Sequence, residues 1–282
     1  MSAVAYVDGA YVPLRAARVS ILDRGLQFAD SIYEVWAVRG GRLRDEAGHF
    51  ARLQRSLDEL RISAPMSEAA LGAVIRETMR RNRARDGIVY LQITRGQAAR
   101  DHVFPSPSVP PTIIVTAKNL NQAAIAARAA EGVKVISLPE TRWARRDIKS
   151  TNLLPNVLAR QAAREADAFE AWFVDPEGLV TEGTSSNAWI VDAEGRLRTR
   201  GLSHDLLHGV TRAALTEAAR RLGIEVIEEA FAINEARAAR EAFISAASNP
   251  ATPVIAIDGV RVGDGRPGPV TLRLRGEYLA RG

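Results

Sequence analysis

The chain has 282 residues, of which 46% are hydrophobic and 25% charged, a balance typical of globular proteins that excludes wholesale disorder and fibrous repeats. It has no cysteines, which excludes disulfides, thiolate metal sites and a cysteine nucleophile. The formal net charge is +5, but the basic residues are interspersed with acids, which disfavours a nucleic-acid-binding surface. Neither a signal peptide nor an apolar run of about 18 residues is seen, so we expect a cytoplasmic protein.

The N-terminal part of the chain alternates turn signals with strand and helix patterns. Asp8-Gly9 and Gly40-Gly41 supply the positive φ angles that tight hairpin turns require. Apolar residues between positions 50 and 60 recur at three- and four-residue steps, which indicates one face of a helix, and Ser67 is a typical helix cap. The predicted elements are hairpins at 6–12 and 33–43, helices at 46–61 and from 67 to about 83, and strands at 87–94 and 112–116.

A Pro-rich loop and a polar joint separate this part from the rest. The loop at 95–111 carries Arg100 and His102, and loops of this length in compact domains are often functional. We expect a small N-terminal α/β domain at 1–117, an interdomain joint at 118–122 and a larger C-terminal domain at 123–282. After the joint, the sequence predicts strands at 134–138, 170–174, 187–191, 225–229, 242–245 and 254–257 and helices at 155–166 and 211–222. The predicted fold class is therefore α/β or α+β in two lobes.

Lysine is rare, and its rarity narrows the candidates for amine chemistry. Only Lys118, Lys134 and Lys149 occur beside 35 arginines, and arginine cannot replace a lysine that forms a Schiff base. A Schiff-base lysine must be desolvated or placed beside cations, because only the neutral amine condenses with an aldehyde. Lys149 follows Arg145 and Arg146 and has apolar neighbours. Lys118 and Lys134 fall in a joint and a strand pattern, which indicates structural roles.

Five segments of the chain stand out together. In one of them, Glu182 lies between β-type residues and a Gly-Thr-Ser-Ser turn. In another, Gly209-Val210-Thr211 opens an Ala-rich helix, whose backbone N–H groups and positive end favour a phosphate group. The five segments are residues 23–35 followed by Arg52, the loop at 95–111, and residues 142–152, 180–187 and 206–212.

Together these segments resemble the class IV (fold type IV) pyridoxal-phosphate enzymes over about residues 5–278. Within that group, the Tyr33-x-Val35 and Arg100-x-His102 elements resemble D-amino-acid aminotransferase most. The resemblance implies a smaller N-terminal α/β domain and a larger C-terminal domain with a mixed sheet. It also implies that pyridoxal 5'-phosphate binds between the two domains.

The resemblance implies roles for individual residues. Lys149 matches the Schiff-base lysine that also moves the proton, and Glu182 matches the carboxylate that keeps the pyridine nitrogen protonated, so that the ring withdraws electrons. Arg52 matches the arginine that binds two phosphate oxygens. A hydroxyl usual in the family is missing at Ala246-Ala247, where a backbone N–H is expected to serve instead. The implied cofactor residues are Arg52, Lys149, Glu182, Ser186, Leu207, Val210, Thr211 and Ala247.

The implied substrate site concerns the α-carboxylate of an amino acid. The resemblance assigns that carboxylate to Tyr33, Arg100 and His102, with Val35 as a further substrate contact. In the relatives, Arg100 and His102 come from the neighbouring subunit, so a homodimer is implied. The expected reaction is transamination of a D-amino acid such as D-alanine with 2-oxoglutarate.

Several alternatives stay open on the sequence alone. Branched-chain L-amino-acid and R-amine aminotransferases share the fold, and aminodeoxychorismate lyase shares Lys and Glu motifs of this kind. An RNA-binding module that uses the arginine excess is the non-enzymatic alternative, and it predicts salt-sensitive association. No metal site is expected, because His49, His204 and His208 lack metal-ligand spacing. For His49 and His208 we expect packing or loop roles.

Overall fold

The computed structural model describes residues 3–281, and these form two compact units. Unit 1 contains the described residues up to Gln122 together with Ile148–Asn152, and unit 2 contains Ala123–Asp147 and the described residues from Leu153 onward. The sequence division placed residues 148–152 in the C-terminal domain, whereas their contacts are with unit 1. A search of residues 3–281 found no helix with the length and hydropathy of a membrane span.

Unit 1 is an antiparallel sheet covered by helices. Its described strands form a six-stranded sheet in the order β2-β1-β6-β5-β3-β4. The apolar stripes of α2 and α3 pack on this sheet around the buried side chains of Trp36, Ile75 and Leu91. The elements are β1 Val4–Val7, β2 Ala10–Pro13, α1 Arg24–Phe28, β3 Ser31–Arg39, β4 Arg42–Leu43, α2 Glu46–Leu60, α3 Glu68–Asn82, β5 Gly87–Thr94 and β6 Ile113–Asn119, with a 3-10 turn at Leu14–Ala16.

Strand β3 organises unit 1. Its side chains alternate, with Ile32, Glu34 and Trp36 buried and Tyr33 and Val35 half-buried on the opposite face. One edge of its N-terminal half pairs with β5, and the other edge receives the segment Ile148–Asn152. Helix α2 packs against the buried face of β3, and its Arg52 binds Glu34 on that face.

Unit 2 is a mixed sheet with helices packed against it. Its described strands form a nine-stranded sheet in the order β12-β11-β10-β13-β14-β7-β8-β9, with β15 paired to β14. The pairs β14–β7 and β7–β8 are parallel, whereas β8–β9 and β10–β13 are antiparallel. The elements are α4 Gln122–Glu131 at the boundary, β7 Val133–Pro139, α5 Leu154–Glu165, β8 Glu170–Val174, β9 Val180–Gly183, β10 Asn187–Val191, β11 Leu197–Arg198, α6 Val210–Arg221, β12 Val226–Ile227, α7 Ile233–Ala238, β13 Glu241–Ala246, β14 Asn249–Ile257, β15 Val260–Arg261 and α8 Pro269–Ala280.

The structure confirms the predicted α/β class and most of the predicted elements. Ser67 caps α3 by accepting a hydrogen bond from Ala70 N at 3.3 Å, and β5 and β8 have the predicted bounds. Strand β6 is longer than the predicted 112–116 and continues to Asn119, which pairs with Gly87. The strand predicted at 225–229 is only two residues long.

Candidate active site

Lys149 lies at the edge of β3 in unit 1. The backbone N–H of Tyr33 donates to Lys149 O at 2.9 Å, and Thr151 N donates to Ser31 O at 3.1 Å. These bonds hold the Lys149 backbone against the edge of β3. Its Nζ stands 4.2 Å from the centre of the Tyr33 ring, and the residue is half-buried. The amine is thus held beside an aromatic face.

The half-buried face of β3 carries two of the predicted substrate residues. Tyr33 stacks on Tyr90 with ring centres 5.8 Å apart, and Val35 pairs in register with Tyr90. The Tyr90 hydroxyl donates to Gln92 Oε1 at 2.9 Å. Burial, helped by Tyr33, raises the pKa of Tyr90 to about 12, so this hydroxyl keeps its proton at neutral pH.

Arg52 lies in a buried ionic cluster behind β3. Its Nε and Nη2 each donate to one oxygen of Glu34 at 2.8 Å, the bidentate geometry of an arginine–carboxylate pair. His49 Nδ1 lies 2.8 Å from Glu34 Oε2. The predicted phosphate arginine therefore has its orientation set by Glu34. Burial raises the pKa of Glu34, but Arg52 and His49 lower it more, so it falls to about 2.

Glu182 lies buried on β9 in unit 2 and has a cation as a partner. Arg142 Nη1 donates to Glu182 Oε1 at 2.5 Å, and Arg142 also bonds Glu140 at 2.6 Å. Burial lowers the pKa of Arg142, but Glu182 and Glu140 raise it more. The opposite charge of Arg142 favours an ionised Glu182 carboxylate.

The start of α6 is tied to Glu182. The second oxygen of Glu182 accepts hydrogen bonds from Leu207 N and Asn187 Nδ2, both at 3.1 Å. Asn187 Nδ2 also donates to Leu207 O at 3.0 Å. A Cβ at Gly209 would stand 2.0 Å from Asn187 Oδ1, so only glycine permits this approach.

The first turn of α6 offers backbone donors. Gly209 is its N-cap and makes no side-chain capping bond, and the N–H groups of a first helical turn have no partner inside the helix. Thr211 is buried, with Val210 half-buried beside it. These donors lie in the same unit as Glu182.

The predicted cofactor residues Ser186 and Ala247 lie in two turns of unit 2. Ser186 Oγ donates to the buried Glu170 at 3.1 Å, as does Ser185 Oγ. Thr184 donates to Glu170 through both its backbone N–H and its hydroxyl. Ala247 is half-buried in the turn between β13 and β14.

Arg100 and His102 lie on an exposed loop against α1. The Arg100 guanidinium stands 5.2 Å from the Phe28 ring centre, and the His102 ring 5.4 Å from the same ring.

The other two lysines are structurally distinct from Lys149. Lys134 forms an exposed ion pair with Asp167 at 2.8 Å, and Lys118 is an exposed residue of β6.

The sequence reasoning missed several residues that support the site. Glu34 had a detectable signal, because it shares the alternating buried face of β3 with Ile32 and Trp36. The others are charged residues that each have a partner far away in sequence, and no local pattern reports those contacts. They are Arg24, Asp30, Glu140, Arg142 and Glu170.

Comparison with known proteins identifies the family. Residues 31–257 match the family model described as Amino-transferase class IV. The chain belongs to the class IV aminotransferases. It is 36% identical to D-alanine aminotransferase of Staphylococcus haemolyticus over 271 residues, which cover 96% of this chain and 94% of that one. It is 39% identical to D-alanine aminotransferase of Bacillus licheniformis, over 90% of this chain and 88% of that one.

Solved structures agree with this assignment. A branched-chain amino acid aminotransferase from Escherichia coli has a TM-score of 0.92 at 26% identity, covering 100% of this chain and 95% of that one. A branched-chain amino acid aminotransferase from T.th., solved with pyridoxamine 5'-phosphate, has a TM-score of 0.88 at 29% identity, covering 99% and 93%. This class IV aminotransferase is therefore a pyridoxal-phosphate-dependent transaminase of fold type IV.

The donor set of this class IV aminotransferase fits its cofactor. A pyridine nitrogen needs an anionic partner, which Glu182 offers. A phosphate needs a helix start, and the first turn of α6 offers one in the same unit. The aldehyde needs an amine, and among the three lysines Lys149 is the one held against an aromatic ring.

Proposed function

We propose that this chain is a cytoplasmic, homodimeric D-amino-acid aminotransferase that transfers the amino group of D-alanine to a 2-oxo acid such as 2-oxoglutarate. The observation that carries this proposal is the 36% identity to D-alanine aminotransferase over 96% of the chain. The Arg100/His102 loop supports it, since a guanidinium with a neutral donor suits an α-carboxylate.

The proposed cofactor contacts concern the pyridine ring nitrogen and the phosphate group. Bound pyridoxal phosphate supplies an aldehyde that takes up the amino group and a ring that withdraws electrons from the substrate Cα. Glu182, paired with Arg142, would accept a hydrogen bond from the protonated ring nitrogen of the bound cofactor. Thr211 and the first-turn N–H groups of α6 would hold the phosphate, and Arg52 is proposed as a further phosphate contact. The remaining contacts in the proposal are Ser186, Leu207, Val210 and Ala247.

The substrate contacts in the proposal centre on Lys149. With the cofactor bound, the Lys149 amine would take the proton from the substrate Cα as a base and release it again as an acid, so that the proton is held and moved at Lys149 Nζ. Tyr33 and Val35, on the half-buried face of β3, are the proposed substrate contacts near Lys149. Arg100 and His102 hold the carboxylate of a substrate bound in the neighbouring subunit.

The first test is the absorbance spectrum of the purified chain beside Lys149→Ala. We expect visible absorbance from the lysine-linked cofactor in the wild type and its loss in the variant, which lacks the amine. Lys134→Ala is the matched control, since Lys134 lies on β7 of unit 2 and forms an exposed ion pair with Asp167. The spectrum of this variant should equal that of the wild type. A colourless wild-type protein that takes up no added cofactor would contradict the assignment.

The second test separates the possible amino donors. The structural similarity to branched-chain aminotransferases makes L-leucine the competing substrate. We expect turnover of D-alanine with 2-oxoglutarate, and turnover of L-leucine alone would refute the D-specific proposal. Release of pyruvate from aminodeoxychorismate without amino transfer would identify the lyase instead, and turnover of an R-amine in preference to D-alanine would identify the amine transaminase.

A further inference from the structure

One buried arginine, Arg24, donates hydrogen bonds to the loop that carries Arg100 and His102. Arg24 is 3% exposed. Its Nη1 donates to Asp101 O at 2.6 Å and to Val103 O at 3.3 Å, and its Nη2 donates to His102 O at 3.4 Å. A single guanidinium thus binds three consecutive main-chain carbonyls of the loop, and it spans both sides of His102.

A carboxylate holds this guanidinium in place. Arg24 Nε donates to Asp30 at 2.9 Å, and Arg95 binds both oxygens of Asp30 at 2.7 and 2.9 Å. Burial raises the pKa of Asp30, but the hydrogen bonds and charges of Arg95 and Arg24 lower it more. Arg95 also donates to Leu60 O and Arg61 O, at the end of α2. The loop is therefore linked through two cations and one anion to the helical layer of unit 1.

Aromatic contacts also hold residues 100–104 of the same loop. The Arg95 guanidinium lies 3.6 Å from the centre of the Phe104 ring. Phe28 lies 4.9 Å from the Arg24 guanidinium and also contacts Arg100 and His102. Stacked guanidinium–ring pairs favour one loop conformation over the many open to an exposed, Pro-rich segment.

From this geometry we infer that Arg24, fixed by Asp30, is a positioning residue for the substrate carboxylate. The inference rests on the proposed function of Arg100 and His102. Its physical basis is that an exposed loop binds an anion well only if its donors are held in place before binding. Loss of the Arg24 hydrogen bonds makes the loop more mobile and weakens carboxylate binding, while the chemistry at Lys149 stays intact. The selective effect on binding distinguishes this role from a purely structural one.

The experiment compares Arg24→Met and Arg24→Lys with the wild type, all in the cofactor-loaded form. Single-turnover kinetics with D-alanine give the half-saturating concentration and the limiting rate, and inhibition by propanoate gives the affinity for a carboxylate without an amine. For Arg24→Met we expect at least about tenfold weaker binding of both probes, with a limiting rate within about twofold of the wild type. Arg24→Lys should fall between, because one ammonium cannot span four acceptors.

Two controls make the result specific. Arg198→Met removes an arginine of unit 2 that also joins a carboxylate, Glu235, to a main-chain carbonyl, that of Ala230, and it should leave both affinities unchanged. Arg100→Met should weaken both probes if the loop binds the carboxylate. Hydrogen–deuterium exchange of residues 100–104 should be faster in Arg24→Met than in Arg198→Met.

The outcomes separate this inference from the proposed function. If Arg100→Met weakens carboxylate binding and neither Arg24 variant does, the positioning role is wrong while the function stands. If Arg100→Met has no effect, the proposed carboxylate role of the loop fails, and with it the basis of the inference. If Arg24→Met does not fold, Arg24→Lys decides by the same two affinities. A fall in limiting rate with unchanged affinities would also overturn the positioning role.

Discussion

At the scale of single residues, the predicted phosphate arginine depends on a carboxylate that the family motif does not name. Glu34 is fully buried and accepts both Nε and Nη2 of Arg52. A buried charge that loses its partner is strongly destabilising, by about 3–5 kcal/mol. Replacing Glu34 with glutamine therefore removes a charged partner of the buried Arg52 cation, even though the shape of the side chain is nearly the same.

The first prediction concerns Glu34→Gln. We expect a lower free energy of unfolding at pH 7, by about 3–5 kcal/mol, and weaker cofactor retention because Arg52 loses its fixed orientation. The pKa of Glu34 is about 2, below its ordinary 4.5, so its stabilising effect is present above pH 4.5 and is lost as the pH falls toward 2. The variant has no such loss, so the difference from the wild type should narrow by about 1.4 kcal/mol between pH 5.5 and 3.5.

Urea unfolding of both proteins at pH 5.5, 4.5 and 3.5, in the cofactor-free form, measures this difference. Glu59→Gln on the same helix is the matched control, since Glu59 is exposed and surface changes usually alter stability by less than about 0.5 kcal/mol. A difference between wild type and Glu34→Gln that is constant across this pH range would show that the Glu34 charge is not what matters.

At the scale of elements, the turn after β9 is shaped by a carboxylate from the neighbouring strand β8. The buried Glu170 accepts hydrogen bonds from Thr184 N and from the hydroxyls of Thr184, Ser185 and Ser186. This explains the run of hydroxyl residues, because each supplies a donor to one buried anion. The motif therefore has a structural purpose beside its proposed cofactor contact.

The second prediction is that Glu170→Gln lowers the free energy of unfolding by about 1–3 kcal/mol, because an amide cannot accept all of these donors and leaves a buried group unsatisfied. Glu165→Gln is the control, since Glu165 is exposed and accepts a hydrogen bond from Gln161 on the same helix. Urea unfolding of the three proteins at pH 7 measures both changes. Equal stability of the two variants would show that the turn does not need the Glu170 charge.

The element scale also shows what the sequence could predict. Local signals such as the Asp8-Gly9 turn, the Ser67 cap and the β8 run of buried residues predicted elements that the structure confirms. Helices α1, α4, α7 and α8 were missed, because α1 and α7 are too short to show a period and α8 has apolar residues all around. The placement of residues 148–152 in unit 1 depends on pairing with β3, which is distant in sequence.

The same limit applied to the candidate site. Lys149, Glu182 and the start of α6 carry local signals, namely a rare amine, a carboxylate before a turn and a glycine before a helix. Arg24 and Asp30 act through partners such as Arg95, and a single sequence does not report such pairs. The residues that support the site could therefore be identified only from the three-dimensional structure.

At the scale of the whole molecule, apolar side chains near the Arg100/His102 loop are exposed. Ile21, Leu22 and Leu26 are 80%, 45% and 63% exposed, and Leu22 O accepts a hydrogen bond from Ala98 at the start of the loop. Exposed apolar groups that lie together mark protein–protein contact sites. They support the proposal that this part of unit 1 faces a second copy of the chain.

The third prediction is that the purified protein has twice the 30.6 kDa chain mass and that Ile21→Glu lowers it toward the monomer. At an 80% exposed position the charge changes monomer stability by less than about 0.5 kcal/mol, whereas it is costly in an apolar interface. Light scattering over a range of concentrations measures the mass. Val260→Glu, an exposed apolar position on β15, is the control and should remain dimeric. A dimer mass for Ile21→Glu as well would exclude this surface as the contact.

The last prediction tests whether the loop serves the neighbouring subunit. Lys149→Ala and Arg100→Met should each be nearly inactive with D-alanine at low substrate concentration. If Arg100 acts across a twofold interface, a hybrid dimer has one site with Lys149 from one chain and Arg100 from the other. After equimolar mixing and reassembly, half of the dimers are hybrids with one complete site each, so activity should recover to about a quarter of the wild-type value. If the loop serves its own chain, every site that keeps Lys149 lacks Arg100, and mixing restores no activity.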